Sequence, residues 1–265
     1  MNRRLLFGIT KEVTSLQDRI LNNLNIIEHQ ENVSILLAVE SGSRAWGFAS
    51  DDSDYDVRFI YVRPRNDYLR LEKTRDVIEL PIEGELDING WDLNKALRLL
   101  RNSNPTLFEW FSSPIVYRET PFAREIRSDM NRYFSPKRGL YHYLSMANSN
   151  YREFLRGDSV KAKKYFYVLR PVLACRWILD HETPPPMLFS ELVESELDPA
   201  LRQEVAKLLD LKMNSPETKI IPRNELLNEY LDSSIAEVRS CIEKMPEEIY
   251  HDWEELDQLF LTQLK

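Results

Sequence analysis

Residues 40–56 read Glu-Ser-Gly-Ser-Arg-Ala-Trp-Gly-Phe-Ala-Ser-Asp-Asp-Ser-Asp-Tyr-Asp. Alternate residues of a strand share a face, so Asp54 and Asp56 place two carboxylates side by side, roughly 6 to 7 Å apart at Cα. Such a pair repels itself unless a cation lies between. Hard divalent ions, Mg²⁺ above all, take carboxylate oxygens and keep positions open for phosphate oxygens. The Ser41-Gly42-Ser43 turn follows an apolar run, where Gly42 lets backbone N–H groups approach a phosphate and the Ser43 hydroxyl donates a further bond. One element would hold phosphates and the other metal. Each half alone has an ordinary reading, because Gly-Ser turns after strands are commonly only turns and acidic runs are commonly solvated loops. A calcium loop fails outright: with Asp52, Asp54 and Asp56 at ligand positions one, three and five, Val57 falls where glycine belongs and Arg63 where the bidentate glutamate belongs.

The elements that must position these residues follow from periodicity. Val13, Leu16, Ile20, Leu21, Leu24 and Ile27 recur at three- and four-residue spacing and predict an amphipathic helix over 9–27. The run 33–40 is apolar and partly β-branched, as a buried strand is, and breaks at Ser41-Gly42-Ser43. A polar connection from Arg44 to Ser53 leads to a strand over 55–62 that ends before Pro64. Two more strands are expected around 77–80 and 85–91, with a turn at Glu83-Gly84. Leu93 to Asn102 then predicts a helix, and Asn104-Pro105 a capped start for a second through Phe111. After Phe134 the β signals nearly vanish, and 140–155, 160–180, 201–211, 225–242 and 247–264 carry helical periodicity. A boundary is expected at Ser135-Pro136, dividing residues 1–134 from 135–265. Pro184-Pro185-Pro186 is read as a loop inside the second part.

The 265 residues are enough for about two domains, and the composition, 43% hydrophobic with 7 Gly and 14 Pro, excludes collagen-like and wholly disordered classes. Acidic residues outnumber basic ones, 43 to 35, so any nucleic-acid contact has to be local. Cys175 and Cys241 form neither a zinc motif nor a disulfide framework and are expected to be inert buried thiols, which fits a reducing cytoplasm. No secretion signal or membrane span is expected. His29, His142, His181 and His251 lack the spacing of a zinc site.

Strand, Gly-Ser, spacer and Asp-x-Asp together resemble the nucleotidyltransferase superfamily that includes DNA polymerase β and the aminoglycoside nucleotidyltransferases, matched here at Gly42, Ser43, Asp54 and Asp56. The longer string 41–47, Leu97-Arg98-Leu99-Leu100 with Asn104-Pro105 and Glu109-Trp110, and the stretch Lys164 to Pro171 are similar to one branch, the YcgL-like or RNA ligase pathway nucleotidyltransferases. The resemblance covers most of the chain to about Asp180. It implies an α/β nucleotidyltransferase domain with a mixed sheet, followed by an all-helical domain that closes over the nucleotide. It also implies ATP or another nucleoside triphosphate as donor, pyrophosphate release, and two Mg²⁺ ions, with Mn²⁺ as an alternative. The acceptor would be a hydroxyl, on an RNA end or a small molecule. The third metal-binding carboxylate is expected after Asp56; Asp87 is the choice, Asp92 the competitor because it sits where an N-cap belongs, and Glu85 the third. Arg44, after the turn, is placed to fork onto triphosphate oxygens. Trp46 and Phe48 are expected to support the loop. At about 100° per residue, Lys163, Tyr167 and Arg170 share one helix face, opposite Phe166, Leu169, Leu173 and Trp177; with neighbouring Lys164, that stripe is expected to reach the nucleotide. The reading from another class is a non-catalytic nucleotide- or RNA-binding module, such as an antitoxin, on the same fold.

Overall fold

The computed structural model describes residues 15–82, 84–215, 218–247 and 252–264. Helix α1, Leu16–Glu31, opens on a capping box in which the Ser15 hydroxyl accepts from Asp18 N–H and the Asp18 carboxylate accepts from Ser15 N–H. It starts later than the periodicity suggests, and Val13 and the turn residue Glu83 lie outside the described residues. Strands β1 (Ser34–Glu40) and β2 (Tyr55–Val62) flank a single helical turn, α2 (Gly42–Ala45). The turn α3 (Arg65–Tyr68), strands β3 (Val77–Glu79) and β4 (Leu86–Asp92), and helices α4 (Leu93–Arg101) and α5 (Pro105–Ser112) follow. A fifth strand not expected from the sequence, β5 (Val116–Glu119), and helix α6 (Pro121–Tyr133) complete this half.

The sheet order is β3-β4-β2-β1-β5, and it is mixed: β2 and β4 run parallel, while the other neighbours are antiparallel. Tyr55, Val57, Phe59 and Tyr61 pack on one face against Ile20, Leu24 and Ile27 of α1. Ile60 and Val62 join the opposite core with residues of α4 and α5. Period-two alternation therefore turns Asp56 and Arg58, and on β4 Asp87, Asn89 and Trp91, away from α1.

From Ser135, whose hydroxyl caps α7 (Pro136–Phe154), the chain is mostly helical: α8 (Phe166–His181), α9 (Phe189–Glu196), α10 (Arg202–Met213), α11 (Glu225–Lys244) and α12 (Glu254–Gln263). It is not wholly helical. Strands β6 (Ser159–Lys161) and β7 (Ile220–Pro222) form a ribbon, so the helix expected from Val160 begins only at Phe166, after the 3₁₀ turn Ala162–Tyr165. Pro184–Pro186 lie in the connection from α8 to α9. One apolar core runs from Leu36 and Ile60 of the sheet through Trp110 and Tyr143 to Leu173 and Val238 of the helices. Cys175 is buried and Cys241 half-buried. Among the described residues, no helix is long and apolar enough to cross a membrane.

Candidate active site

Strand β1 ends at Glu40, and the chain then reverses through Gly42 at φ +61°, a conformation that favours glycine. A Cβ built there would lie 2.2 Å from Oδ2 of Asp56, so the absence of a side chain lets this carboxylate lie over the turn. Ser41 N–H donates to the Asp56 carbonyl at 2.9 Å, and the fully buried Glu40 accepts the Asp56 N–H at 2.8 Å. The other Glu40 oxygen accepts from the Tyr117 hydroxyl, and burial pushes the Glu40 carboxyl above its usual range. Glu40 thus fixes the backbone of the aspartate strand from below. As the last residue of a strand otherwise free of charge, it was visible in the sequence only as an oddity.

In the parallel register Asp56 faces Asp87 directly. Between them lies Arg58: its Nη2 donates to Asp56 Oδ1 at 2.8 Å and to Asp87 Oδ2 at 2.7 Å, and its Nη1 donates to the Asp87 carbonyl at 3.0 Å. Asp54 is exposed, one residue before β2, and its carbonyl accepts from Arg44 Nε at 3.2 Å. The donor set of Asp54, Asp56 and Asp87 is all carboxylate, which suits a hard divalent ion. Among the described residues, no three acidic, histidine or cysteine side chains converge as a ready metal cage, and Arg58 provides the positive charge between Asp56 and Asp87. Asp92 lies at the far end of β4, buried. It caps α4 by accepting from Asn94 N–H at 2.8 Å and also accepts from the Tyr68 hydroxyl at 2.9 Å. Glu85 is exposed, and its carbonyl accepts from Tyr55 N–H at 2.6 Å.

The model of the RNA repair pathway DNA polymerase beta family matches residues 16–262. The chain belongs to this family. It is 45% identical over 249 residues to the uncharacterized protein YcgL of Bacillus subtilis (strain 168), covering 93% of this chain and 96% of that protein. A crystal structure of a nucleotidyltransferase-like protein from Exiguobacterium sibiricum 255-15 aligns over 84% of this chain and 74% of that one, with a TM-score of 0.32 and 14% identity. Membership places the chain among polymerase-β-like nucleotidyltransferases.

In this polymerase-β-family chain the other residues expected to reach a nucleotide are distributed unevenly. Arg44 follows the turn, as expected, but two of its donors are on loop carbonyls, Ser53 at 2.7 Å and Asp54 at 3.2 Å, and its guanidinium lies 3.5 Å from the Tyr55 ring centre. It borders a cleft of about 540 Å³ with Glu40, Tyr55 and Tyr117. Tyr167 is partly exposed and meets Trp46 edge-on at 6.1 Å, whereas Lys163 belongs to the preceding 3₁₀ turn rather than to α8. Lys164 lies 3.7 Å from the Phe154 ring and 4.8 Å from that of Tyr167. Arg170 does not form a solvent-facing stripe with them. It is 2% exposed and donates to Glu109 at 2.6 Å, because α8 is buried on both sides at this point. Trp46 and Phe48 support the loop as expected: Trp46 Nε1 donates to Glu109 at 3.3 Å, and Phe48 packs on Phe166 and Phe189. Sequence reasoning missed Lys212. Its buried ammonium donates to the Phe48 carbonyl at 2.8 Å and to the Ser50 and Ser53 hydroxyls at 3.3 Å, tying α10 to the spacer before Asp54.

Proposed function

We propose that this protein transfers a nucleoside monophosphate from a nucleoside triphosphate, such as ATP, to a hydroxyl acceptor with release of pyrophosphate, in the presence of Mg²⁺. The observation that carries the reading is the facing pair Asp56 and Asp87 on parallel neighbours, with Asp56 lying over Gly42. In this reading Asp54, Asp56 and Asp87 hold two divalent ions, which would supply charge neutralisation at the α-phosphate and the leaving pyrophosphate. Gly42 and Ser43 offer backbone and hydroxyl donors to the phosphates. Arg44 fixes the segment that carries Asp54, and any donor it turns to the triphosphate comes from a guanidinium already held on that loop. In this reading one of these carboxylates, Asp87, would also take the acceptor's proton. The remaining demand is orientation, which Glu40, Lys212 and the Trp46 anchor supply by immobilising the turn and its spacer.

The family description connects its members with RNA repair, and we take an RNA end as the acceptor, with a small molecule the alternative. We place the reaction in the cytoplasm. The test incubates the full chain with α-³²P-labelled nucleoside triphosphates, Mg²⁺ and total RNA, then follows label incorporation and pyrophosphate release. Incorporation that is lost with EDTA and in Asp56→Ala supports the reading. Tight nucleotide or RNA binding with no pyrophosphate release overturns it in favour of a binding module.

A further inference from the structure

We infer that Arg58 is a built-in counter-ion of the acidic pair, a positioning residue that makes loading of the site by a divalent ion depend on the nucleotide. The inference rests on the reading of Asp56 and Asp87 as metal-holding carboxylates.

Two carboxylates at facing positions on adjacent strands carry like charge at close range. A single nitrogen, Arg58 Nη2, donates to one oxygen of each, and the guanidinium is held in that plane by Nη1, which donates to the backbone carbonyls of Asp87 at 3.0 Å and Val57 at 3.2 Å. Its side chain is 18% exposed, against 29% for Asp56 and 33% for Asp87, so screening by water is reduced but not abolished. The forked, permanently charged group suits this bridge better than a lysine, whose charge is a point. A bare divalent ion approaching the same oxygens meets this positive charge and has to compete with Nη2 for Asp56 Oδ1 and Asp87 Oδ2. A triphosphate brings anionic oxygens of its own and offsets that repulsion, so ion and nucleotide strengthen each other's binding. Such coupling is reciprocal by linkage.

The experiment titrates Mn²⁺ by electron paramagnetic resonance into the full chain, with and without a non-hydrolysable ATP analogue, for wild type, Arg58→Met, Arg58→Gln, Arg58→Lys and Asp56→Asn. Wild type is expected to bind Mn²⁺ at least about tenfold more tightly with the analogue than without it, a coupling of about 1.4 kcal/mol. In Arg58→Met and Arg58→Gln, nucleotide-free affinity should rise at least about tenfold and the coupling shrink, while Arg58→Lys, which keeps the charge, should stay within about threefold of wild type. Gln keeps donors for the neighbouring carbonyls and serves if Met does not fold. A purely structural arginine would lower the melting temperature and leave the nucleotide-free Mn²⁺ affinity unchanged, and that result overturns the inference. So does a lysine variant that binds as tightly as the methionine one. The two levels separate through Asp56→Asn: if it weakens Mn²⁺ binding while Arg58→Met matches wild type, only the role of Arg58 fails. If Asp56→Asn leaves Mn²⁺ binding intact, the metal-site reading fails with it.

Discussion

Replacing Arg170 with methionine should unfold this protein more readily rather than blunt its grip on a nucleotide. Arg170 Nη1 donates to Glu109 Oε1 at 2.6 Å with both side chains buried, and the Glu109 carboxylate also accepts from Tyr143 at 3.2 Å and from Trp46 Nε1 at 3.3 Å. Methionine fills much of the arginine stem but strands the carboxylate with two neutral donors. Breaking one side of a buried pair costs about 3–5 kcal/mol, a large part of a stability that for most domains lies at about 5–15 kcal/mol. Glu109→Leu should cost a similar amount by stranding the guanidinium, which would keep only long contacts to Met187, its carbonyl at 3.4 Å and its Sδ at 3.7 Å. In the double variant Glu109→Leu/Arg170→Met no charge is left, only two orphaned donors at about 1 kcal/mol each, so it should lose at least about 2 kcal/mol less than the sum of the single variants. Urea unfolding followed by far-UV circular dichroism reads all four proteins at constant slope. A loss below about 1 kcal/mol in Arg170→Met, or additive single losses, would refute the reasoning. So would weakened binding of a fluorescent ATP analogue by an Arg170→Met protein of wild-type stability, because that is the behaviour of an arginine that reaches the ligand.

Three further perturbations separate the roles of neighbouring residues. Gly42→Ala places a methyl group 2.2 Å from Asp56 Oδ2 at a φ of +61°; it should cost about 1–3 kcal/mol in urea melts and reduce labelled nucleotidyl transfer at least about 100-fold, and wild-type transfer would show that the seat of Asp56 over Gly42 is immaterial. Lys212→Met removes the buried ammonium from the Phe48 carbonyl and the Ser50 and Ser53 hydroxyls, with an expected loss of about 1–3 kcal/mol and faster proteolysis between Trp46 and Asp54; unchanged cleavage kinetics would contradict the clamp. Burial raises the Asp92 carboxyl above the ordinary aspartate range, so its favourable contribution is complete below that range and is lost as pH rises through the folded-state value. Asp92→Asn keeps an oxygen to cap α4 and does not titrate. Its stability relative to wild type should therefore increase from about pH 3.5 toward neutrality, with transfer activity retained, and a pH-independent difference would show that Asp92 is not strained by burial.

Much of this site was legible because period two is a strong constraint. Tyr55 to Val62 alternates aromatic and branched residues up to Pro64, and that pattern alone puts Asp56 and Arg58 on one face. The partner strand also reads well, yet nothing local says that β4 lies parallel to β2 with Asp87 level with Asp56; register is a tertiary property. Arg170 misled for a related reason. At helical spacing with Lys163 and Tyr167 it reads as part of a stripe that reaches the nucleotide, and the carboxylate that instead holds it inside, Glu109, lies on α5. Lys212 was equally silent, because α10 also carries Lys207 and the acceptors of Lys212 belong to a loop near the start of the chain. The short strand β5 is three parts polar, and the ribbon strand β6 is too brief for alternation to show and overlaps the helical periodicity that starts at Val160.

Beside the local bonds that Arg44 makes to Ser53 and Asp54, several ties on the segment between Gly42 and Asp54 come from beyond Ser135. Trp46 is fixed through Glu109 to Tyr143 on α7 and Arg170 on α8; its carbonyl accepts from Phe189 N–H at 3.0 Å at the start of α9; and Lys212 on α10 closes the spacer. The turn at Gly42, followed by a long polar spacer, has little to hold it from within the sheet, since the flanking strands end at Glu40 and begin again at Tyr55. The helices therefore act on the candidate site by holding this loop. They leave the carboxylate face itself to β2 and β4, so a substitution in α8 or α10 reaches Asp54 only through the loop that Trp46 and Lys212 anchor.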